Sequence, residues 1–164
     1  MLEIRQAEAR DADRIGELLL QVEAVHHAGR PDIFRPGAVK YTREELLTLM
    51  KDPDRPIFVA ETAETGAGAE RSGVLGYAFC ILKRVEGDKM LTDNVTLYVD
   101  DLCVDENVRG QKIGTALLDY VVGYARSVGC TAVTLNVWSC NPAAVGFYRA
   151  YGMKEQKIGM ELLL

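Results

Sequence analysis

The sequence predicts a mixed α/β fold, in which helices cover a mixed β-sheet. Two observations predict it. Apolar and alternating runs typical of strands are interleaved along the chain with amphipathic, helix-like segments. In addition, a strand-like run over 95–104 passes through a glycine-containing turn into an amphipathic helix. Because the chain has 164 residues, 48% of them hydrophobic, and no evident repeat or linker, we expect a single domain over 1–164.

The first half of the chain is predicted to contain a strand, two helices and three further strands, over 2–6, 12–25, 42–50, 57–60, 74–85 and 96–104. Asp11 or Asp13 can cap the first helix, and Thr42-x-x-Glu45 has the form of a capping box that opens the second. Glycine and proline residues predict a loop over 28–41. A stretch rich in Gly, Ala and Glu predicts a hairpin tip over 62–72.

The second half is predicted to contain a helix, a strand, a short helix and a final strand, over 112–128, 131–137, 142–151 and 158–163. Gly129 stands where a helix commonly ends. Asn141 and Pro142 fit the N-cap and the first residue of the short helix. These elements complete the alternation of strands and helices on which the fold class depends.

The turn over 109–115 predicts an anion site. Backbone N–H groups at a helix N-terminus have no partner within the helix, and the helix dipole favours negative charge there. Glycines let the backbone approach a phosphate closely. We therefore expect a phosphorylated ligand at this turn, with Arg109 or Lys112 adding positive charge. The chain contains neither a Walker A motif nor G-x-G-x-x-G.

Net charge, apolar runs and cysteine spacing indicate which partners and which cellular compartment to expect. The net charge of −5 argues against a nucleic-acid partner and is compatible with a small cationic substrate. No signal-peptide pattern or apolar run of roughly 18 residues is present, so neither secretion nor a membrane partner is expected. The four cysteines form no C-x-x-C pair, which favours reduced thiols in a cytoplasmic protein without a metal.

Two motifs resemble those of the Gcn5-related N-acetyltransferase (GNAT) family. The first follows the segment over 102–107 and looks like the family's acetyl-CoA pyrophosphate loop, R/Q-x-x-G-x-G/A: Arg109-Gly110-Gln111-Lys112-Ile113-Gly114. The second follows the strand-like run over 135–137 and looks like N-x-x-A-x-x-F-Y-x-x-x-G: Asn141, Ala144, Phe147, Tyr148 and Gly152. The resemblance spans nearly the whole chain. It implies the family's acyl-CoA N-acyltransferase fold, with the fourth and fifth strands splayed and one or two strands at the end.

Lys112 departs from the family pattern, because it stands where the loop motif has its first glycine. That position needs mainly its backbone N–H. We therefore expect the loop to be retained and the lysine to add positive charge near phosphate.

The resemblance implies acetyl-CoA as co-substrate. Its amide-rich pantetheine arm would pair with the strand over 102–104 like an added strand. A backbone N–H near the thioester carbonyl would also serve as an oxyanion donor. The expected cofactor-binding residues are Leu102, Cys103, Val104, Arg109, Gly110, Gln111, Lys112, Ile113, Gly114, Thr115 and Asn141.

The resemblance also implies that Tyr148 assists the departing CoA thiolate. A phenol has a pKa of about 10 and a thiol about 8.5, so complete proton transfer is uphill by roughly 2 kcal/mol. A hydrogen bond to the developing thiolate already helps without complete transfer. The alternative role of Tyr148 is packing beside Phe147 in the short helix.

Asp100 and Asp101 are the candidate bases for an amine acceptor, which must lose a proton before it attacks. They are similar to the acidic pair of polyamine-acetylating relatives, in which the first acid is the proposed base and the second contacts the acceptor. Neighbouring side chains of a strand point to opposite faces, so only one should enter the cleft unless a bulge intervenes. His26 and Phe34 lie where family members shape the acceptor pocket, and a solvated loop is the alternative there.

The function expected from the resemblance is transfer of acetyl from acetyl-CoA to a primary amine within a ternary complex. A polyamine, an amino acid, an aminoglycoside or a protein N-terminus all remain open as acceptors. One alternative is a non-catalytic acyl-CoA sensor or interaction module, and another is a different nucleotide-binding enzyme. A covalent route through Cys103 needs an activating neighbour that the sequence does not show. The apolar C-terminus over 162–164 favours a homodimer.

Overall fold

The computed structural model describes residues 1–62 and 73–164, so the hairpin tip expected over 62–72 lies outside the described residues except at Thr62. In this described part, the chain forms five strands and four helices. They are β1 (Leu2–Gln6), α1 (Ala12–Gly29), α2 (Arg43–Leu49), β2 (Ile57–Thr62), β3 (Val74–Val85), β4 (Asn94–Val104), α3 (Ile113–Ser127), β5 (Ala132–Leu135) and α4 (Pro142–Tyr151).

The five strands form one sheet in the order β1-β2-β3-β4-β5. The first four are antiparallel neighbours. β5 pairs with β4 in parallel, and α3 connects the two. The sheet is therefore mixed, as the sequence predicts.

Helices cover both faces of the sheet and bury a hydrophobic cluster on each. On one face, residues of α1 and α2 pack against β2 and β3, among them Ile15, Leu18, Leu46, Val59, Tyr77 and Phe79. On the other face, α3 packs against β2, β3 and β4, through Phe58, Ala78, Leu97, Val99, Leu117 and Val121. Tyr77 and Ala78 are neighbours in β3 yet belong to opposite clusters, as the alternation of a strand requires.

Asp11 precedes α1, but its carboxylate accepts no hydrogen bond from that helix. Arg5 instead donates to both of its oxygens, at 2.7 and 3.0 Å, and the backbone N–H of Glu8 donates at 2.8 Å. The Asp11 side chain is fully buried, so this charged contact ties β1 to the start of α1. Asp13 is exposed and pairs with Arg43 at 2.9 Å. The expected side-chain cap on α1 is therefore wrong.

The predicted end of the first helix near Val25 is wrong, because α1 continues to Gly29 and contains His26 and His27. The predicted caps of α2 and α4 and the glycine after α3 are confirmed. Thr42 Oγ1 accepts from the backbone N–H of Glu45 at 3.2 Å, and Glu45 Oε2 accepts from that of Thr42 at 2.8 Å. Asn141 Oδ1 accepts from the Ala144 N–H at 3.1 Å and so caps α4. Gly129 follows α3 with a φ of +77°, a conformation that glycine adopts without steric cost.

The final strand predicted over 158–163, which would be the sixth or seventh of the family fold, is wrong. Residues 153–164 form no strand or helix, and their apolar side chains at 158, 160 and 162–164 are exposed. A strand is stable only when its backbone groups pair with a neighbour. β5, the edge strand nearest in sequence, has only four residues and offers few such bonds. Glu161 instead forms an ion pair with Arg30.

Gly76 lets β3 and β4 approach closely where β4 ends. An added Cβ at Gly76 would lie 2.6 Å from the Cys103 carbonyl oxygen and 3.2 Å from Leu117 Cδ1. The first of these contacts is with backbone, which cannot rotate away as a side chain can.

We expect Gly76→Ala to destabilise the protein by about 1–3 kcal/mol, because the added methyl must push β4 or α3 outward. Gly123→Ala in α3 is the matched control, since an added Cβ there meets nothing within 4 Å. That change should stabilise the helix by about 0.5–1 kcal/mol. Urea unfolding of both variants measures the two effects, and a neutral Gly76→Ala would show that no close approach exists.

Candidate active site

β4 and β5 separate partway along their length. Their pairing runs from Thr96 opposite Ala132 to Val99 opposite Leu135 and stops there, while β4 continues to Val104. β3 covers the other edge of β4 as far as Val104. Within the described residues, the β5-facing edge over 100–104 therefore has no partner strand. This opening is the splay that the resemblance implies.

A β-bulge places both carboxylates of the acidic pair at this opening. Phe79 pairs with Asp101 and the next residue, Cys80, pairs with Val99, so Asp100 is the extra residue of β4. Lys40 Nζ lies 3.1 Å from Asp100 Oδ2 and 3.5 Å from Asp101 Oδ2. One cation therefore reaches both side chains, which strict alternation of the strand would have separated.

Asp101 is the more enclosed of the two acids, with its side chain 10% exposed against 27% for Asp100. The fully buried Tyr77 donates a hydrogen bond from its hydroxyl to Asp101 Oδ2 at 3.2 Å. Burial raises the pKa of Asp101 above its ordinary value, as does the charge of Asp100. The charges of Lys40 and His26 and the Tyr77 bond only partly offset that rise in pKa.

Tyr148 lies on α4, close enough to Asp101 for the charge of that carboxylate to act on its phenol. Burial, and then the charge of Asp101, raise the pKa of its phenol above the ordinary value. Its neighbour Phe147 packs over the first turn of α3, with its ring 3.4 Å from where a Cβ on Gly114 would be. α4 therefore contacts the start of α3 through Phe147 and lies near Asp101 through Tyr148, whose hydroxyl stays protonated at neutral pH.

His26, whose charge acts on Asp101, belongs to a group of three aromatic side chains in contact. The Phe34 ring stacks on His26, with centroids 4.9 Å apart, and meets the edge of Trp138 at 5.1 Å. His27 Nδ1 bonds the Phe34 carbonyl oxygen at 2.7 Å, which fixes the loop after α1. Trp138 is 43% exposed. His26 and Phe34 thus lie at the site and not on a freely solvated loop.

The turn before α3 presents backbone N–H groups at the far end of the opening. The Ala116 N–H donates to the Lys112 carbonyl oxygen at 3.0 Å, so the amides of 113–115 precede the first bond of the helix. Gly110 has a φ of +81° and Lys112 a φ of +62°. Arg109 Nε lies 3.4 Å from the Val104 carbonyl oxygen. The geometry fits an anion at the end of β4.

Lys112 adopts the left-handed conformation that glycine adopts freely, which explains the glycine of the loop motif at this position. The turn keeps its backbone with a lysine there, at a cost of about 1–2 kcal/mol. The exposed ammonium group adds positive charge beside the α3 amides.

Leu102 and Val104 of β4 are half-buried, and Cys103 between them is buried on the opposite face. Burial raises the pKa of the Cys103 thiol to about 12, and its Sγ donates weakly to the Leu18 carbonyl oxygen at 3.5 Å. Such a thiol is a poor nucleophile. These residues contribute backbone, not reactive side chains, to the opening.

Sequence reasoning missed Lys40 and Tyr77. Tyr77 lies in a buried strand whose pattern predicts only core packing. Lys40 lies 60 residues before Asp100, and no local pattern connects the two. The loop assignment over 28–41 was the one signal near it.

Residues 1–62 and 73–164 contain neither a candidate metal cluster nor a helix able to span a membrane. No group of three or more His, Cys, Asp or Glu side chains there is placed to hold a metal ion. Likewise, none of the helices in 1–62 and 73–164 combines the length and apolar character needed to cross a membrane.

Comparison with known proteins places these features in a family. The family model described as acetyltransferase (GNAT) family matches residues 21–153. Glucosamine 6-phosphate N-acetyltransferase 1 of Oryza sativa subsp. japonica is 33% identical over 119 residues, which are 73% of this chain and 64% of that protein. The chain thus matches slightly less than two thirds of that relative's length.

Solved structures share the fold over almost the whole chain. A tetramutant of the BH1408 protein from Bacillus halodurans superposes with a TM-score of 0.90 at 27% identity, covering 99% of both chains. An aminoglycoside N-acetyltransferase in complex with CoA superposes with a TM-score of 0.66 at 12% identity, covering 100% of this chain and 95% of that one. The second match shows the common fold alone.

We expect Lys112→Gly to be more stable than Lys112→Ala by about 1 kcal/mol, because only glycine relieves the left-handed backbone. Both variants lose the same charge, so their difference isolates the backbone effect. Denaturant unfolding of the two variants measures it. Equal stability would mean that Lys112 does not adopt a positive φ.

Proposed function

Because the chain belongs to the GNAT family of acetyltransferases, we propose that it transfers an acetyl group from acetyl-CoA to a primary amine, directly within a ternary complex. One observation carries the proposal: the opening between β4 and β5 has the acidic pair at its start and the free amides of α3 at its end. Tyr148 on α4 lies near enough to Asp101 for that carboxylate to raise the pKa of its phenol. A binding module without catalysis would need neither the enclosed acids nor that phenol.

The turn before α3 and the edge of β4 suit acetyl-CoA as the acetyl donor. The N–H groups of 113–115, with Gly110 and Gln111 in the turn and Arg109 and Lys112 as cations, would hold its pyrophosphate. The unpaired edge of Leu102, Cys103 and Val104 would hold the pantetheine arm through backbone hydrogen bonds. Asn141, predicted as a cofactor-binding residue, caps α4 and would contribute to donor binding by positioning the helix that bears Tyr148. The donor supplies a thioester as the acetyl source.

Asp101 is the residue we assign as base. An amine acceptor is mostly protonated at neutral pH, since its pKa is about 10 for an alkylamine and about 8 for a peptide N-terminus. The enclosed carboxylate of Asp101, with its raised pKa, is a stronger base than an ordinary aspartate. Asp100 is more exposed and would hold the charge of the incoming ammonium group. This assignment reverses the order of roles suggested by the polyamine-acetylating relatives.

Tyr148 serves as a hydrogen-bond donor to the leaving sulfur. Its raised pKa keeps the phenol protonated and makes full proton transfer to a thiolate more costly than for a free tyrosine. A donated hydrogen bond stabilises the developing charge without that cost. The covalent route through Cys103 is disfavoured by the raised pKa of its thiol.

The acceptor we propose is a small amine with an apolar or ring-shaped body. The acids would bind its ammonium group, and Phe34 and Trp138 offer apolar surface beside them. The relative named for glucosamine 6-phosphate makes that amino sugar a member of the panel to test, beside spermidine, an aminoglycoside and a peptide with a free N-terminus. Release of CoA thiol measures turnover, and no release with any amine would favour the non-catalytic sensor.

We further propose one catalytic unit over 1–164, working in the cytoplasm. In support, both hydrophobic clusters pack on the same sheet. The homodimer expected from 162–164 stays a prediction, and the exposure of those three leucines supports it.

We expect Tyr148→Phe to lower turnover by about tenfold to a hundredfold, which corresponds to the free energy of one hydrogen bond to a charged group. The Kd for acetyl-CoA should change little, because the hydroxyl acts on the leaving sulfur. Tyr151→Phe on the same helix is the control; its hydroxyl bonds Asp119 at 2.7 Å, away from the acids. Turnover and calorimetric Kd distinguish the two, and equal turnover of Tyr148→Phe and parent would reject this role.

We expect kcat/KM to fall as pH drops through the raised pKa of Asp101, since its protonated form cannot accept a proton. This acid limb should lie above the ordinary aspartate value of about 3.9. In Asp101→Asn the rate should fall about a hundredfold and the limb should vanish. Asp100→Asn should keep the limb and mainly raise the KM for the amine. An unchanged limb in Asp101→Asn would exclude Asp101 as the base.

A further inference from the structure

Lys40 enters the acidic pair from the loop between α1 and α2. Its Nζ donates to Asp100 Oδ2 at 3.1 Å and lies 3.5 Å from Asp101 Oδ2 and 5.6 Å from the centre of the Tyr41 ring. The side chain is 28% exposed, so most of it is enclosed by the site. Among the lysines of 1–62 and 73–164, Lys40 alone lies within ion-pair distance of a carboxylate.

The Lys40 ammonium group occupies the position that the proposed function assigns to the acceptor. It is a primary amine in contact with both acids, and Asp101, the residue assigned as base, is within reach of its proton. The backbone that carries it, over 30–42, forms no helix or strand. A lysine stem of four methylenes on irregular backbone has the freedom to advance toward a thioester.

We propose that Lys40 is an internal acceptor, acetylated on its ε-amino group by the donor bound to the same chain. This inference rests on the proposed function and adds a modification site to it. Asp101 takes one proton from the ammonium group, and the freed nitrogen attacks the thioester carbonyl carbon. The N–C amide bond forms, the C–S bond breaks, and CoA leaves as its thiol with the second amine proton. Asp101 then returns the first proton to solvent.

The acetylation of Lys40 is slow because the carboxylates of Asp100 and Asp101 stabilise the protonated form of its amine. Burial alone would lower the pKa of Lys40, but the charges of Asp101 and Asp100 outweigh it and raise that pKa. Only a small fraction of the amine is therefore free to attack at neutral pH. Acetylation should accordingly build up over many turnover times and accelerate as pH rises.

Acetylation would change the site in a defined way. An acetylated Lys40 carries no charge, so both acids lose the cation that pairs with them. The pKa of Asp101 then rises further, because the Lys40 charge is the largest of the causes that lower it. Asp100, Tyr77 and His26 remain around it. The acids become free to bind an external ammonium group.

The test incubates the chain of residues 1–164 with acetyl-CoA and no amine, and follows intact mass and acetylated peptides over time. We expect one acetyl group per chain, located at Lys40, with a first-order rate constant independent of protein concentration. Asp101→Asn should slow this labelling about a hundredfold. Lys40→Arg should abolish the single addition, whereas Lys51→Arg, a change at an exposed lysine, should retain it.

Two results would overturn the proposal. Labelling spread over exposed lysines and unaffected by Asp101→Asn would show ordinary chemical acetylation. If the protein acetylates an amine of the panel but Lys40 stays unmodified, Lys40 is not an internal acceptor, and the proposed function still stands. If neither Lys40 nor any amine is acetylated, the proposed function fails as well, so the two failures remain distinguishable.

Discussion

The separation of β4 and β5 after Val99 and Leu135 is the constraint on which the rest of the site depends. Among residues 1–62 and 73–164, it leaves one edge of β4 without a partner strand over 100–104, although buried backbone N–H and C=O groups are costly to leave unpaired. A ligand rich in amides can pair with such an edge in the manner of an added strand. Three features lie around that opening: the bulge at Asp100, the turn before α3 and the start of α4. Each can contact a ligand there because β4 and β5 are separated.

The acidic pair requires a cation before any acceptor arrives. The bulge brings two adjacent carboxylates to one side of β4, where their charges repel. Lys40 balances them, and in doing so it ties the loop between α1 and α2 to the centre of the sheet. This loop also carries Phe34, which lines the acceptor side with His26 and Trp138. The charge balance of the reaction centre and the shape of the acceptor pocket are therefore set by the same segment.

Local features of this fold can be predicted from sequence, and features set by long-range register cannot. The capping box at Thr42 and the cap at Asn141 depend on residues three positions apart, and both are confirmed. The bulge at Asp100 depends on how β3 and β4 align, which no strand pattern reveals. The predicted strand over 158–163 has a suitable composition but no partner among the described residues. Sequence identifies the acids, and only the fold shows that Lys40 meets them.

Asp101 and Tyr148 share one environment, and their proposed tasks are linked through it. Burial makes the carboxylate a better base and keeps the phenol protonated. The negative charge of Asp101 is the second cause that raises the Tyr148 pKa. When Asp101 accepts a proton from the amine, that charge disappears and the phenol becomes a stronger hydrogen-bond donor. Proton uptake by Asp101 at the start of the transfer thus strengthens the hydrogen bond that Tyr148 donates to the leaving sulfur at its end. Burial is then the one remaining cause that holds the Tyr148 pKa above its ordinary value.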